Sequence, residues 1–182
     1  MKHLHGCSPC KGKRTAFQPT AYQTVPFVSA KAHCGQEIAT TNMAIPIAAF
    51  KLGADWKNVS VHPGGIIDFR EHLSSADGVA VRTGQGEYTL SAAGVYIAVL
   101  QLHLLHPGQI VFCMDGEEQT DSALGVSQES TLLHGHWLFH AQNSGSVLSV
   151  RNPLQSCRPL MIASCVGGIL PVASDLFIAR LA

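Results

Sequence analysis

Charge is what this sequence has least of. Only 13% of its 182 residues are Asp, Glu, Lys or Arg, against about a quarter in a typical soluble domain. Twelve acids and twelve bases cancel to a formal net charge of +0, so no overall field is set up for a nucleic acid or a membrane surface. Aromatic residues are few, at 7%, and stand in apolar contexts, which argues against a base-stacking face. No apolar run reaches the roughly eighteen residues of a membrane-spanning helix. Met1–Cys7 (MKHLHGC) has no apolar segment of the secretory kind, so no signal peptide and no membrane insertion are expected. There is no G-x-S-x-G, no P-loop and no G-x-G-x-x-G. Thr83–Gly86 (TGQG) reads as a hairpin turn, because no helix follows it. Asp68, Glu71, Asp77 and Glu87 are read as acids scattered through turns, without a paired-carboxylate site. No catalytic residue and no cofactor are expected. A globule so short of charge exposes much uncharged surface, which suits an assembled protein.

The most informative stretch is Gly86–Leu104 (GEYTLSAAGVYIAVLQLHL). Glu87–Leu90 reads as a short strand, Ser91–Gly94 as a tight turn, and Val95–Leu104 as a long apolar strand. Alternation puts Tyr96, Ala98, Leu100, Leu102 and Leu104 on one face and Ile97, Val99, Gln101 and His103 on the other. A strand apolar on nearly both faces is expected to be covered on both sides. A buried helix has the same run of apolar residues; Pro107-Gly108 and the β-branched content favour the strand.

Strands are expected at Tyr22–Ser29, Ala44–Phe50, Trp56–Val61, Ile66–Arg70 and Gly78–Arg82 ahead of this hairpin. Beyond it they are expected at Gln109–Met114, Thr131–Ala141, Ser146–Arg151, Pro159–Ser164 and Asp175–Leu181. Roughly ten short strands, spaced by about 8–12 residues and separated by Gly, Pro and Asn, point to an all-β sandwich or barrel with no helix. The chain length suits one sizeable domain. Residues 1–20 carry Gly6, Pro9, Gly12 and Pro19 and no hydrophobic period. They read as an extended N-terminal arm, with residues 21–182 as the folded domain. The arm is basic: Lys2, Lys11, Lys13 and Arg14 are four of the twelve Lys and Arg, and the first acid is Glu37.

With the strands placed, the second half resembles the complement globular-head and tumour necrosis factor (TNF)-like jelly rolls. In that family a strand ending in a small polar turn is followed by Gly-x-Tyr and a long apolar strand. Tyr88–Leu90, Ser91–Ala93 and Gly94–Tyr96 carry the likeness here, followed in order by Ile110–Met114 with Asp115-Gly116, Thr131–Phe139, Gly145, Val147–Val150 and Leu176–Leu181. The match covers about residues 43–182 and is clear over 86–182. Within the family the chain is most similar to the bacterial branch: tip domains of collagen-like spore exosporium glycoproteins and subunits of spore appendage fibres. It lacks the Gly-x-y repeat of the glycoproteins, and a cysteine-bearing arm stands in that place. The resemblance implies a ten-strand TNF-like jelly roll with Tyr96, Leu100 and Leu102 on its core and trimer strand. It implies a homotrimer and a structural, non-enzymatic role as a fibre subunit on a cell or spore surface, with itself as partner.

Six cysteines sit awkwardly with a cytosolic start, where thiols stay reduced. Assembly of a spore coat inside a mother cell, with oxidation after lysis, would resolve the conflict. Cys7-x-x-Cys10 fits an interchain disulfide, with Cys157 in a Pro-flanked loop as partner; Cys34 and Cys165 are further disulfide candidates. A zinc half-site completed by Cys34, His3 and His5 is the alternative. Cys113 reads as a buried inert thiol. His134, His136 and His140 share one strand face, opposite Gly135, Trp137 and Phe139. They are weak candidates for the metal site of a cupin-like metalloenzyme. No carboxylate follows within a few residues and no histidine lies further on, so a polar outer strand surface is favoured. A trimeric receptor- or glycan-binding module is a third reading.

Overall fold

Glycines, prolines and Asx-Gly turns cut this chain into short extended runs. The computed structural model describes residues 45–52, 57–75, 78–127, 131–166 and 174–182, all within the unit Asn42–Ala182. The strands there are β1 (Ile47–Lys51), β2 (Val59–Val61), β3 (Glu71–Ser75), β4 (Ala80–Gly84), β5 (Glu87–Leu90), β6 (Gly94–His103) and β7 (Gly108–Met114). They continue with β8 (Glu117–Glu118), β9 (Leu124–Val126), β10 (Leu132–Ala141), β11 (Val147–Arg151), β12 (Leu160–Ile162) and β13 (Asp175–Arg180). One 3₁₀ turn, Thr120–Ser122, is the sole helical element among the described residues.

Two sheets face each other. One has the order β10-β6-β13-β1-β3; the other runs β4-β5-β11-β7-β8, with β9 also on β7. A short β12-β2 pair lies apart, and the bridges Ile66–Arg151 and Leu104–Ile162 add further pairing. All named pairings are antiparallel. The core lies between the sheets. Phe50, Tyr96, Leu100, Leu102 and Ile178 enter it from the first sheet, and Tyr88, Leu90, Ile110, Phe112 and Leu148 from the second. Each such side chain contributes about 1.5–3 kcal/mol on burial.

The hairpin β5–β6 stands where the sequence places it. Gly94 at its turn has φ 149°, and a Cβ there would run into the Ala182 carbonyl, which accepts the Val95 N–H at 2.9 Å. Gly135 in β10 leaves the space occupied by Leu124, whose Cδ1 would stand 2.6 Å from a Cβ.

Three expectations need correcting. Ile66–Arg70 is not a strand: among the described residues only Ile66 makes a bridge there, and the regular strand starts at Glu71. The backbone of this segment is satisfied by other means. Ile67 N–H donates to the Val150 carbonyl at 2.8 Å. The Tyr88 hydroxyl accepts from Phe69 N–H at 3.0 Å and donates to the Phe69 carbonyl at 3.1 Å. The Asp68 carboxylate accepts from Gly86 N–H at 2.8 Å and from Arg82 at 2.8 Å. Second, Glu71 lies in β3 rather than in a turn, paired with Lys51 of β1. Third, β3, β8 and β9 are strands without a hydrophobic period, so the count exceeds ten. They form because β1 and β7 have backbone groups to pair, whatever the side chains. Of the other strands, β2 is shorter than Trp56–Val61, and Tyr22–Ser29 and the arm at residues 1–20 lie outside the described residues.

Burial pushes the Tyr88 hydroxyl well above its ordinary pKa, with the Phe69 backbone acting in the opposite sense. It stays neutral and can donate and accept at once. Tyr88→Phe removes both contacts and leaves two buried Phe69 backbone groups without partners. The expected cost is about 1–3 kcal/mol, read as a lower urea midpoint with an unchanged slope; an unchanged midpoint would mean water replaces the hydroxyl.

Candidate assembly interface

Residues opposite one another in an antiparallel pair share a face, so the register maps the outside of the β10-β6-β13-β1-β3 sheet. Ile97 of β6 lies between Leu138 of β10 and Ala179 of β13, with Ile47 of β1 beyond. Val99 lies between His136 and Phe177, with Ala49 beyond. Gln101 lies between His134 and Asp175, with Lys51 beyond. The face is thus apolar around Ile97 and Val99 and turns polar toward Gln101.

Leu138 is 59% exposed, Ile47 41% and Phe177 36%. Together with Ile45, Ile97, Val99, Ala179 and Leu181, Ile47 and Phe177 line a shallow depression of about 330 Å³. Contiguous apolar surface of this kind marks an interaction site. It explains the double-faced pattern of β6. Tyr96, Leu100 and Leu102 are fully buried inside this one chain and act as core. The face that turns away from the core carries Ile97 and Val99. Ile45, Ile47, Leu138 and the β13 residues Phe177 and Ala179 were not singled out from sequence. The signal was present in DLFIAR, where both alternating faces are apolar, as in β6.

At the polar end two side chains have a buried atom without a partner among the described residues: Nδ1 of His103 and Oδ1 of Asp175. Burial raises the Asp175 pKa, and Lys51 opposes that shift. His134, His136 and His140 follow one another along the outer face of β10, all exposed. Among the described residues no three His, Cys, Asp or Glu side chains are grouped so as to hold a metal. The cupin-like alternative gains no converging ligand set from this arrangement.

The thiols differ in environment. Cys113 is fully buried, and burial raises its pKa, which keeps it a thiol. Cys157 is exposed and Cys165 half-buried, and neither is bonded to another described cysteine. Cys7, Cys10 and Cys34 lie outside the described residues.

No family model matches the sequence, and no curated protein sequence matches it. Solved structures do match. The Eiger TNF of S. frugiperda superposes with a TM-score of 0.56 at 18% identity, over 76% of this chain and 94% of that one. Murine APRIL at pH 5.0 superposes with a TM-score of 0.54 at 12% identity, over 76% of this chain and 100% of that one. The globular domain of zebrafish complement 1qA matches over 75% of this chain and 96% of that one, at 12% identity and a TM-score of 0.49. The fold is a TNF-like jelly roll. At these identities the likeness concerns the fold alone. The jelly roll presents its five-stranded sheet as the apolar one.

Asp175 gives a pH test. A carboxyl whose folded pKa lies above the ordinary value near 3.9 binds its proton more tightly in the folded state. Its ionised form therefore weakens the fold at neutral pH, and the penalty is relieved as pH falls through the raised pKa. Asp175→Asn is expected to melt at a higher temperature than the unaltered chain at pH 7, with the advantage shrinking toward pH 4. An advantage that is the same at both pH values would exclude desolvation as its cause.

Proposed function

We propose that this chain is a self-assembling structural subunit. Three copies pack through the outer face of the β10-β6-β13-β1-β3 sheet, and the N-terminal arm joins one trimer to the next in a fibre on a cell or spore surface. The observation that carries this reading is the apolar strip through Leu138, Ile97, Ala179 and Ile47. Water on that strip costs roughly 25 cal/mol for each Å² left uncovered. The TNF-like resemblance of the Tyr88–Leu104 stretch supports three as the number of copies. The low charge of the whole chain fits a protein that spends its life assembled.

The finer steps rest on the cysteines. Cys157 is exposed between β11 and β12, accessible to an arm from a neighbour. Cys7 or Cys10 bonds to it once the cell has lysed: two thiols lose two protons and two electrons to dioxygen, which is reduced. Strand addition to an exposed sheet edge supplies main-chain hydrogen bonds, and the disulfide keeps the arm in place when those bonds open. Cys34 and Cys165 are further candidates for such links. The chain binds itself and is not an enzyme.

Phe177→Glu or Leu138→Glu is expected to leave the strand-rich circular dichroism spectrum intact and to yield monomers in sedimentation. Deleting residues 1–19 is expected to leave soluble trimers and abolish fibres. Cys7→Ser with Cys10→Ser is expected to give fibres that fall apart in hot detergent. A stable monomer of the unaltered chain would overturn the trimer. Fibres of unchanged length and detergent resistance after the deletion would overturn the role of the arm.

A further inference from the structure

A cleft of about 640 Å³ lies between the β7–β8 hairpin with the following 3₁₀ turn and the β10–β11 end of the sandwich. Asp115, Glu117 and Asp121 line it from the first side, and Trp137, Phe139 and His140 from the second. No Lys or Arg is among its lining residues. Asp115 spends one carboxylate oxygen on the Val147 N–H at 2.7 Å. Glu117 and Asp121 form no ion pair among the described residues. The aromatic wall is stiff: Trp137 stacks on Phe139 with centroids 4.5 Å apart and on Phe112 at 5.6 Å. Trp137 is only 9% exposed, yet its indole Nε1–H has no acceptor among the described residues. Buried indole N–H groups ordinarily have one. The cleft thus lacks cations to match its carboxylates and an acceptor to match its donor.

An extended, cation-rich peptide supplies both. Its side chains bring the positive charge, and its backbone carbonyls bring the acceptor. Such a segment exists in this sequence. Lys2, Lys11, Lys13, Arg14 and Lys31 precede the first acid, Glu37. In the domain, by contrast, Arg82, Arg158 and Arg180 are already held by Asp68, the Pro107 carbonyl and the Ala93 carbonyl. Arg14 and Ile45 are 31 positions apart (45 − 14), a reach on the order of 100 Å when extended. A neighbouring subunit is within that distance.

We propose that the acidic cleft is the seat of the basic N-terminal segment of a neighbouring copy, with Lys11, Lys13 and Arg14 against Asp115, Glu117 and Asp121. This rests on the reading of the arm as the joint between trimers and names the surface on which the joint is made. The charge pairing steers the arm and fixes its register, and a disulfide then locks what the cleft has aligned.

The test uses the full chain. Equal amounts of ¹⁵N-labelled and unlabelled protein are assembled together and treated with a carbodiimide, which joins a lysine amine to a carboxylate in contact with it. Mass spectrometry is expected to find Lys11 or Lys13 joined to Glu117 or Asp121 in mixed-isotope pairs. Absence of these pairs, or pairs of like isotope only, overturns the proposal; the second result means the arm folds back on its own chain. Charge reversal supplies the second arm. Glu117→Lys with Asp121→Lys, and separately Lys11→Glu with Lys13→Glu and Arg14→Glu, are each expected to give trimers without fibres. An equal mixture of the two variants is expected to restore fibres. Fibres from either variant alone overturn the proposal and leave the trimer and fibre reading standing. If the unaltered chain forms no fibres, that reading fails, and the mixed-isotope pairs still decide what the cleft binds.

Discussion

A strand in the middle of a sheet has two faces, and β6 is apolar on both. The rest of the structure follows from that. One face is filled from within the chain, where Tyr96, Ala98, Leu100 and Leu102 reach zero exposure against the opposite sheet. The other carries Ile97 and Val99, and its neighbours on β10, β13 and β1 extend the same apolar strip. A single domain has one core and cannot bury both sides. The surplus apolar surface is therefore a standing incentive to associate.

The polar groups do complementary work. Because ion pairs are scarce, irregular backbone is held by single, well-placed side chains. Tyr88 closes both hydrogen-bonding groups of Phe69, and Asp68 gathers Arg82 and the Gly86 amide. The Asp68–Arg82 pair is partly exposed and as an ion pair contributes at most about 1 kcal/mol. Its larger effect is positional, since it keeps the β4–β5 turn against residues 66–70. Buried Ser122 plays a similar part at the far end, accepting Phe112 N–H at 2.9 Å and donating to the Gln119 carbonyl at 2.6 Å.

Environment separates groups that sequence makes alike. Cys113 and Cys157 are the same residue type, yet one lies in the core and the other at the surface. Burial holds the first as an unreactive thiol. The acids divide in the same way. Asp68 is spent on structure, Asp175 is desolvated beside the apolar face, and Glu117 and Asp121 face a cleft.

Much of the fold was legible in the sequence because alternation and turn chemistry are local. Gly94–His103, Leu132–Ala141 and Val147–Arg151 follow the period of two, bounded by SAAG, QNSG and Asn152-Pro153. The resemblance carried by Gly86–Leu104 and the segments after it pointed to the TNF-like jelly roll. The exposed position of Cys157 and the outer position of His134, His136 and His140 were legible for the same reason. The extended reading of Ile66–Arg70 failed, and β3 was missed, because pairing there depends on what lies alongside and not on the residues themselves. The apolar face needed the order β10-β6-β13-β1, which brings residues 47, 97, 138 and 179 into one row. The cleft needed the β7–β8 hairpin to meet the end of β10. Periodicity tells each residue which side of its own strand it occupies. Which strands lie side by side is settled only when the whole chain folds around one core, and surfaces built from distant segments exist only then.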